Sequence, residues 1–206
     1  MRITAEAKQE TRERILQAAK RLFREQGFDT TTTRDLAREA GIAAGTLFNY
    51  FPSKEAIALD LILRGLDRAL LAHEKRAAPP GSLEEDLFGL IAADLRGLRE
   101  LRPLLPPVLE TCLGASRRGD GGNEGAEALR VRQLAVAGRL AERHGAGEAF
   151  SAVAQQLYWT LYTGILAHWS RDDSPRQEDT LAYLDATLEM FVEWLTRSAP
   201  ARRRIP

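Results

Sequence analysis

Apolar residues recur every three to four positions through most of the chain, and this spacing predicts helices rather than strands. The expected helices span about 9–26, 33–40, 44–50, 53–76, 83–101, 124–144, 148–170 and 176–197, with a short or kinked helix ending near 113. Glycine- and proline-rich breaks are expected at 77–81 and 114–123. The chain is therefore predicted to be all-α, with about nine helices.

Residues 32–54 contain two short predicted helices joined by a tight turn. Thr32 and Asp35 have the spacing of a capping box at the start of the first helix. Gly41 follows that helix, at a place where a left-handed residue commonly ends a helix. A second helix is expected from about Ala44 to Tyr50. Two helices joined by a short glycine-containing turn are typical of a helix-turn-helix unit.

The second of these helices has one apolar face and one small, polar face. Leu47 and Phe51 lie about one turn apart, so both are expected to face the core. Asparagine can pair with the adenine edge in the major groove, and threonine can donate, accept or touch a thymine methyl. The predicted base-reading residues are Gly45, Thr46 and Asn49 on the open face and Phe48, which flanks it.

The starts of the neighbouring helices supply candidates for phosphate contacts. Ser53 is predicted to cap the fourth helix, and Lys54 lies at its N-terminus, where amides and the helix dipole attract phosphate. The predicted phosphate contacts are Thr33, Arg34, Tyr50 and Lys54. Solvated polar side chains on an ordinary helix pair are the alternative interpretation.

Residues 45–55 read Gly-Thr-Leu-Phe-Asn-Tyr-Phe-Pro-Ser-Lys-Glu, and this motif resembles the DNA-binding domain of the TetR/AcrR family of bacterial transcriptional regulators. The match covers about residues 10–60, and the rest agrees only in length and helical character. The resemblance implies a helix-turn-helix domain over 1–54, which has three helices, and a helical ligand-binding and dimerisation domain over 55–206. Ala43 stands where the family often has a capping Ser, and Ala44 stands where it often has a Lys or another polar residue. Both differences affect which operator sequence is recognised.

The last two predicted helices are the most hydrophobic, and they are the candidates for a dimer interface. Helix-turn-helix proteins usually dimerise because one recognition helix reads only half of a specific site. On the final helix the apolar residues step by three and four, as in a coiled-coil seam. The predicted interface consists of Leu161, Ile165, Trp169, Leu184, Leu188, Phe191 and Leu195. The alternative is that both stripes complete the core of the monomer.

The middle helices carry more apolar surface than DNA binding alone requires. In TetR-like proteins this region encloses a small-molecule pocket, so the resemblance implies an effector, and the residues available suggest an apolar or aromatic one. The candidate pocket residues are Phe88, Ile91, Glu110, Cys112, Trp159 and Tyr162. Such residues at helical spacing also serve as plain core, and Cys112 could either pack or sense oxidants.

Composition and charge refine this picture. The chain has 206 residues, is 44% hydrophobic and has zero formal net charge. Residues 1–54 carry ten basic and seven acidic side chains, a net charge of +3, so the basic part coincides with the motif. With one cysteine, no signal-peptide pattern and no apolar run of about 18 residues, we expect a bacterial cytoplasmic, nucleoid-associated protein with no membrane partner.

No pattern in the sequence indicates catalysis. A phosphate-cradling glycine loop, a nucleophile elbow and a His-Glu-x-x-His pair are all absent, and the three histidines are scattered, so neither a metal site nor a cofactor is expected. The predicted function is that of a ligand-released homodimeric repressor that binds a palindromic double-stranded DNA operator. The alternatives are a DNA-binding factor without a ligand and a protein-interaction scaffold that no longer reads DNA.

Overall fold

The computed structural model describes residues 4–75, 81–113 and 122–198, and within these ranges the regular secondary structure is entirely helical. Short 3-10 turns occupy Arg99–Leu104 and Pro175–Gln177. The α-helices are α1 (Ala5–Gln26), α2 (Thr33–Glu39), α3 (Ala44–Leu47), α4 (Lys54–Glu74), α5 (Leu83–Gly97), α6 (Leu105–Leu113), α7 (Gly122–Arg143), α8 (Ala152–Trp169) and α9 (Glu178–Ser198). The predicted all-α class is confirmed. Residues 77–80 and 114–121, where breaks are predicted, lie outside the described residues.

The chain divides into two compact units. The first comprises Met1–Gly65 with Glu100–Glu127, and the second comprises Leu66–Arg99 with Ala128–Pro206. The division therefore falls within α4, whereas the sequence places its domain boundary at the start of that helix. Over the described residues, none of the helices combines the length and the apolar character needed to span a bilayer.

Both predicted capping boxes are present. The Thr32 hydroxyl accepts a bond from the Asp35 amide at 3.1 Å, and the Asp35 carboxylate accepts one from the Thr32 amide at 3.1 Å. Ser82 and Glu85 repeat this exchange at the start of α5, at 3.1 Å and 2.7 Å. Each pair satisfies two of the amides that a helix N-terminus leaves without a partner.

Several helix starts differ from the sequence prediction, α1, α8 and α9 among them. α1 begins at Ala5 rather than near residue 9, because Thr4 caps it by accepting a bond from the Ala7 amide at 3.2 Å. α8 begins later than expected, at Ala152. α9 begins at 178 rather than 176, because Arg176 has a positive φ of 54° that interrupts the helix.

Each unit has an apolar core of its own. In the first unit, α1, α2, α3 and the first part of α4 bury Ile15, Ala19, Leu36, Leu47, Phe51, Ile57 and Ile62. In the second unit, α5, α8 and α9 pack on one another and bury Leu87, Leu90, Ile91, Tyr158, Ile165, Trp169, Leu184 and Leu188. The inward orientation predicted for Leu47 and Phe51 is confirmed.

Candidate nucleic-acid interface

The turn between α2 and α3 has the predicted geometry. Gly41 adopts a φ of 66°, in the left-handed region that favours glycine. The Ile42 amide donates to the Ala37 carbonyl at 3.0 Å, which closes the end of α2. Ala43 at the start of α3 makes no side-chain cap bond. The orientation of α3 therefore depends on its packing rather than on its own cap.

The regular part of α3 is shorter than predicted. It ends at Leu47, and residues 48–50 continue as a hydrogen-bonded turn in which the Asn49 amide donates to the Thr46 carbonyl at 3.1 Å. The Tyr50 amide donates to the Leu47 carbonyl at 2.9 Å. We call residues 44–51 the reading segment, because the predicted base-reading residues lie on both its helical part and its turn.

The four predicted base-reading residues lie on one accessible stretch of the reading segment. Gly45 and Asn49 are exposed, Thr46 is half-buried, and Phe48 is 53% exposed. A Cβ atom built on Gly45 would meet no other atom within 4 Å, so packing in the chain does not explain a glycine there. A large exposed aromatic beside open backbone and polar side chains is a surface suited to a groove.

The predicted phosphate contacts fall into two groups. Arg34 is exposed, while Thr33 at the start of α2 and Tyr50 within the reading segment are half-buried. Lys54 is instead engaged within the unit: its Nζ donates to the Phe28 carbonyl at 2.6 Å and lies 4.2 Å from the centre of the Phe28 ring. Lys54 therefore ties the start of α4 to the loop after α1, a role not predicted from the sequence.

The dimer residues predicted on α8 and α9 lie mostly in the interior of the single chain. Six of the seven predicted interface residues are buried within the single chain: Ile165, Trp169, Leu184, Leu188, Phe191 and Leu195. Only Leu161 is partly exposed. Side chains already enclosed by α5, α8 and α9 offer no apolar surface to a second copy. The alternative interpretation, that these stripes complete the monomer core, describes those six residues.

Another face of the same two helices is apolar and open. On α8, Val153, Leu157 and the half-buried Leu161 are four residues apart, and on α9 Tyr183 and Met190 are exposed. The Tyr183 ring lies 5.2 Å from the ring of His168, at the C-terminal end of α8. The α9 stripe is therefore in contact with α8 at Tyr183, and we call the exposed apolar residues of the two helices the open apolar face.

The predicted effector residues are distributed over both units. Ile91, Trp159 and Tyr162 are buried in the second unit, where Phe88 is half-buried. Glu110 is exposed and Cys112 half-buried in the first unit, so the exposed carboxylate of Glu110 is not enclosed as a pocket residue would be.

The chemistry of Cys112 argues against oxidant sensing. Burial raises the pKa of the Cys112 thiol to about 11, so little of the reactive thiolate is present at neutral pH. Within the described ranges, no group of three or more His, Cys, Asp or Glu side chains is arranged to hold a metal ion.

A buried polar cluster in the second unit was not predicted. The Asp94 carboxylate is fully buried, and its Oδ2 accepts bonds from the Tyr162 hydroxyl at 3.1 Å and the Gln133 amide at 3.3 Å. Gln133 also donates to the Tyr158 hydroxyl at 3.1 Å. Among the described residues, the buried Oδ1 of Asp94 has no hydrogen-bond partner. Loss of hydration raises the pKa of Asp94 to about 7, and the nearby charge of Arg132 opposes this rise.

The helix-turn-helix part of the chain is similar to known bacterial regulatory proteins. Residues 15–61, which include α2, α3 and the start of α4, match the family model described as bacterial regulatory proteins, tetR family. An uncharacterized HTH-type transcriptional regulator of Bacillus subtilis, YfiR, is 33% identical over 107 residues, which are 52% of this chain and 52% of that protein. This chain thus spans about half the length of that curated relative.

Two further likenesses extend over most of the chain. The HTH-type transcriptional repressor KstR of Rhodococcus jostii is 25% identical over 203 residues, which cover 97% of this chain and 79% of that protein. The solved structure of Thermus thermophilus FadR, a TetR-family repressor in complex with lauroyl-CoA, superimposes with a TM-score of 0.66 at 24% identity. That superposition covers 95% of this chain and 98% of FadR, and it supports the fold.

Proposed function

Because the chain belongs to the TetR family of bacterial regulatory proteins, we propose that it is a homodimeric transcriptional repressor, and not an enzyme, that binds a palindromic operator. A small molecule with an apolar or aromatic body releases it from the DNA. The observation that carries the proposal is the reading segment, whose accessible surface combines Gly45, Asn49 and the exposed Phe48.

In this proposal the reading segment enters the major groove. Asn49 and Thr46 contact base edges, and Phe48 contacts a thymine methyl. Thr33, Arg34 and Tyr50 contact phosphates, which fix the register of the protein on the duplex. Lys54 supports this surface from inside the first unit, because its ammonium group is held by the Phe28 carbonyl.

The test of this function is selection of binding sites from random duplex DNA with the purified protein. We expect enrichment of a palindrome, referred to below as the selected duplex, because two copies related by two-fold symmetry read two half-sites. If a folded protein enriches no sequence, DNA reading is rejected and the scaffold interpretation is favoured.

Substitution of Asn49 by alanine tests base reading at one position. We expect Asn49→Ala to lower affinity for the selected duplex by about 1–3 kcal/mol and to relax preference at one base pair in each half-site, because a bidentate contact is lost. Repeating the selection with the variant measures this preference. Gln17→Ala removes an exposed amide from α1 and is the matched control. An unchanged base preference in Asn49→Ala would remove Asn49 from the reading surface.

The open apolar face supports the homodimer. Met190 on α9 is 70% exposed, and Val153 and Leu157 on α8 are also exposed, and exposed apolar residues on one helix pair favour association. A two-fold axis across this face would pair α8 and α9 with their copies in a four-helix bundle.

We expect Met190→Glu to weaken the dimer at least about tenfold, because the new carboxylate would be desolvated in the interface without a partner. Sedimentation velocity over a range of concentrations measures the association. Leu71→Glu is the control, because Leu71 is a similarly exposed apolar residue on α4, at 57%. Equal association of both variants would place the interface elsewhere.

The buried polar cluster supports an effector that carries a hydrogen-bond donor. A buried carboxylate oxygen without a partner is costly, and a donor on a bound molecule would satisfy Asp94 Oδ1. Aromatic rings adjoin this group: those of Trp159 and Tyr162 stack at 6.1 Å, and those of Tyr158 and Tyr162 at 6.4 Å. A metabolite library screened by thermal shift would identify such a ligand, because binding to the folded state raises its stability.

A further inference from the structure

Arg12 joins three parts of the first unit through one guanidinium group. From α1, its Nη2 lies 2.6 Å from the Asp60 carboxylate on α4. Its Nη1 donates to the Tyr50 carbonyl at 3.4 Å, and the guanidinium carbon lies 4.3 Å from the centre of the Phe51 ring. The end of the reading segment is therefore in contact with α1 and, through Arg12, with α4.

The Asp60 carboxylate is itself held in place. Arg64 Nε donates to its other oxygen at 2.9 Å, and Arg64 Nη1 lies 2.7 Å from the Glu13 carboxylate on α1. The bond with Arg64 lowers the pKa of Glu13, and that partnership raises the pKa of Arg64. The chain Glu13–Arg64–Asp60–Arg12 links α1 to α4 twice, and its two positive and two negative charges cancel.

We propose that Arg12 is a positioning residue for DNA reading: it sets the orientation of the reading segment against α1 and α4 and makes no contact with DNA. This inference rests on the proposed function. A helical segment as short as α3, without a side-chain cap, does not hold its own orientation in isolation. Arg12 supplies a donor to the Tyr50 carbonyl and covers Phe51, the residue that anchors the end of the segment in the core.

The use of the guanidinium group distinguishes positioning from phosphate binding. One nitrogen faces Asp60, another faces the Tyr50 carbonyl, and one side of the plane covers Phe51. The neighbouring carboxylate neutralises the charge that a phosphate would require. Arg34 differs, because it is exposed at the start of α2.

The test measures affinity for the selected duplex against salt concentration for Arg12→Gln and Arg12→Lys. For Arg12→Gln we expect roughly a tenfold loss of affinity, a weaker base preference and an unchanged salt slope, because no phosphate contact is lost. Lysine keeps the charge but lacks the planar fork, so Arg12→Lys should not restore binding. Arg34→Gln is the matched control and should lower the salt slope by about one while leaving base preference unchanged.

A second variant approaches the same contact from α4. Asp60→Asn should reproduce the loss of affinity and preference, and the double variant Arg12→Gln/Asp60→Asn should lose less than the sum of the two single variants, because both weaken the Arg12–Asp60 ion pair. Circular dichroism and thermal unfolding identify any variant that fails to fold. If Arg12→Gln does not fold, Arg12→Lys, which retains most of the side chain, is used in its place.

The outcomes separate this inference from the proposed function. A salt slope lowered by about one in Arg12→Gln, or full recovery in Arg12→Lys, would make Arg12 a phosphate contact and overturn the positioning role. Wild-type affinity and preference in folded Arg12→Gln would also overturn it, while leaving the regulator intact. Failure of the wild-type protein to enrich any duplex would reject both.

Discussion

Replacement of Gly45 by leucine should abolish specific binding, with a loss of about a thousandfold or more in affinity for the selected duplex. That loss corresponds to the smallest typical difference between specific and nonspecific DNA binding. The folded chain should be at least as stable as the wild type. We therefore expect a folded variant with a wild-type or higher unfolding temperature that no longer binds DNA specifically.

The reason lies in the open space around this glycine. A Cβ on Gly45 would meet nothing within 4 Å, and its backbone has no positive φ, so leucine fits the isolated chain without strain. Leucine has a higher helix propensity than glycine, which contributes up to about 1 kcal/mol of stability. In the complex, the same side chain would fill the space between the backbone of α3 and the floor of the groove.

Fluorescence anisotropy with the selected duplex and thermal unfolding together measure this separation of binding from stability. Gly45→Ala should show an intermediate loss of affinity, because its side chain is smaller. Gly41→Leu is the contrasting control: Gly41 has a φ of 66°, so leucine there should cost about 1–2 kcal/mol of stability. Wild-type affinity in Gly45→Leu would place residue 45 away from the DNA and contradict the proposed reading segment.

The features that the sequence predicted well depend on neighbours a few residues apart. Thr32 and Asp35 form their capping box, Gly41 adopts the left-handed conformation, and Ser53 accepts a bond from the Ala56 amide at 3.1 Å. Each of these contacts closes within one helical turn. Local residue types are therefore sufficient to predict them.

The choice of face on α8 and α9 could not be made in the same way. Both helices are apolar over much of their circumference, so periodicity identifies a stripe without saying what covers it. The packing of α5 against α8 and α9 encloses Leu184 and Leu188, and it leaves Leu157 and Met190 exposed. That packing brings together residues that are far apart in the chain. The periodicity of a single helix contains no information about such contacts.

Two of the most informative side chains are also defined by distant partners. Arg12 and Asp60 are 48 residues apart, and Asp94 and Gln133 are 39 apart. Arg12 is one of many charged residues on α1 and carries no distinguishing signal in the sequence. Asp94 does carry one, because an aspartate interrupts the apolar stripe of α5 between Ile91 and Leu98. A charged residue at a core position is itself a reason to expect a buried polar cluster.

The stability of the wild-type protein should fall as pH rises from about 4 to about 7, in part because Asp94 ionises in the unfolded chain and not in the folded one. Its pKa is raised from 3.8 to about 7 in the folded chain, so in this interval the folded state keeps a proton that the unfolded state releases. The stabilising effect of that proton is complete below pH 4 and is lost as pH passes 7. A rise of about three in pKa corresponds to roughly 4 kcal/mol of unfolding free energy.

Asp94→Asn removes this contribution, because an amide does not ionise at either pH. Urea unfolding at pH 5 and pH 8, at one protein concentration, should show the variant gaining stability relative to the wild type as pH rises. Asp172 does not confound the comparison between pH 5 and pH 8. Hydrogen bonds from Ser174 and Thr180 lower its pKa, so the stability that the ionised Asp172 provides is lost only at more acidic pH. Asp185→Asn, an exposed carboxylate on α9, is the control and should follow the wild type. If Asp94→Asn shows the same pH dependence as the wild type, Asp94 is ionised throughout this range, and its Oδ1 must be satisfied by a group that stabilises the charge.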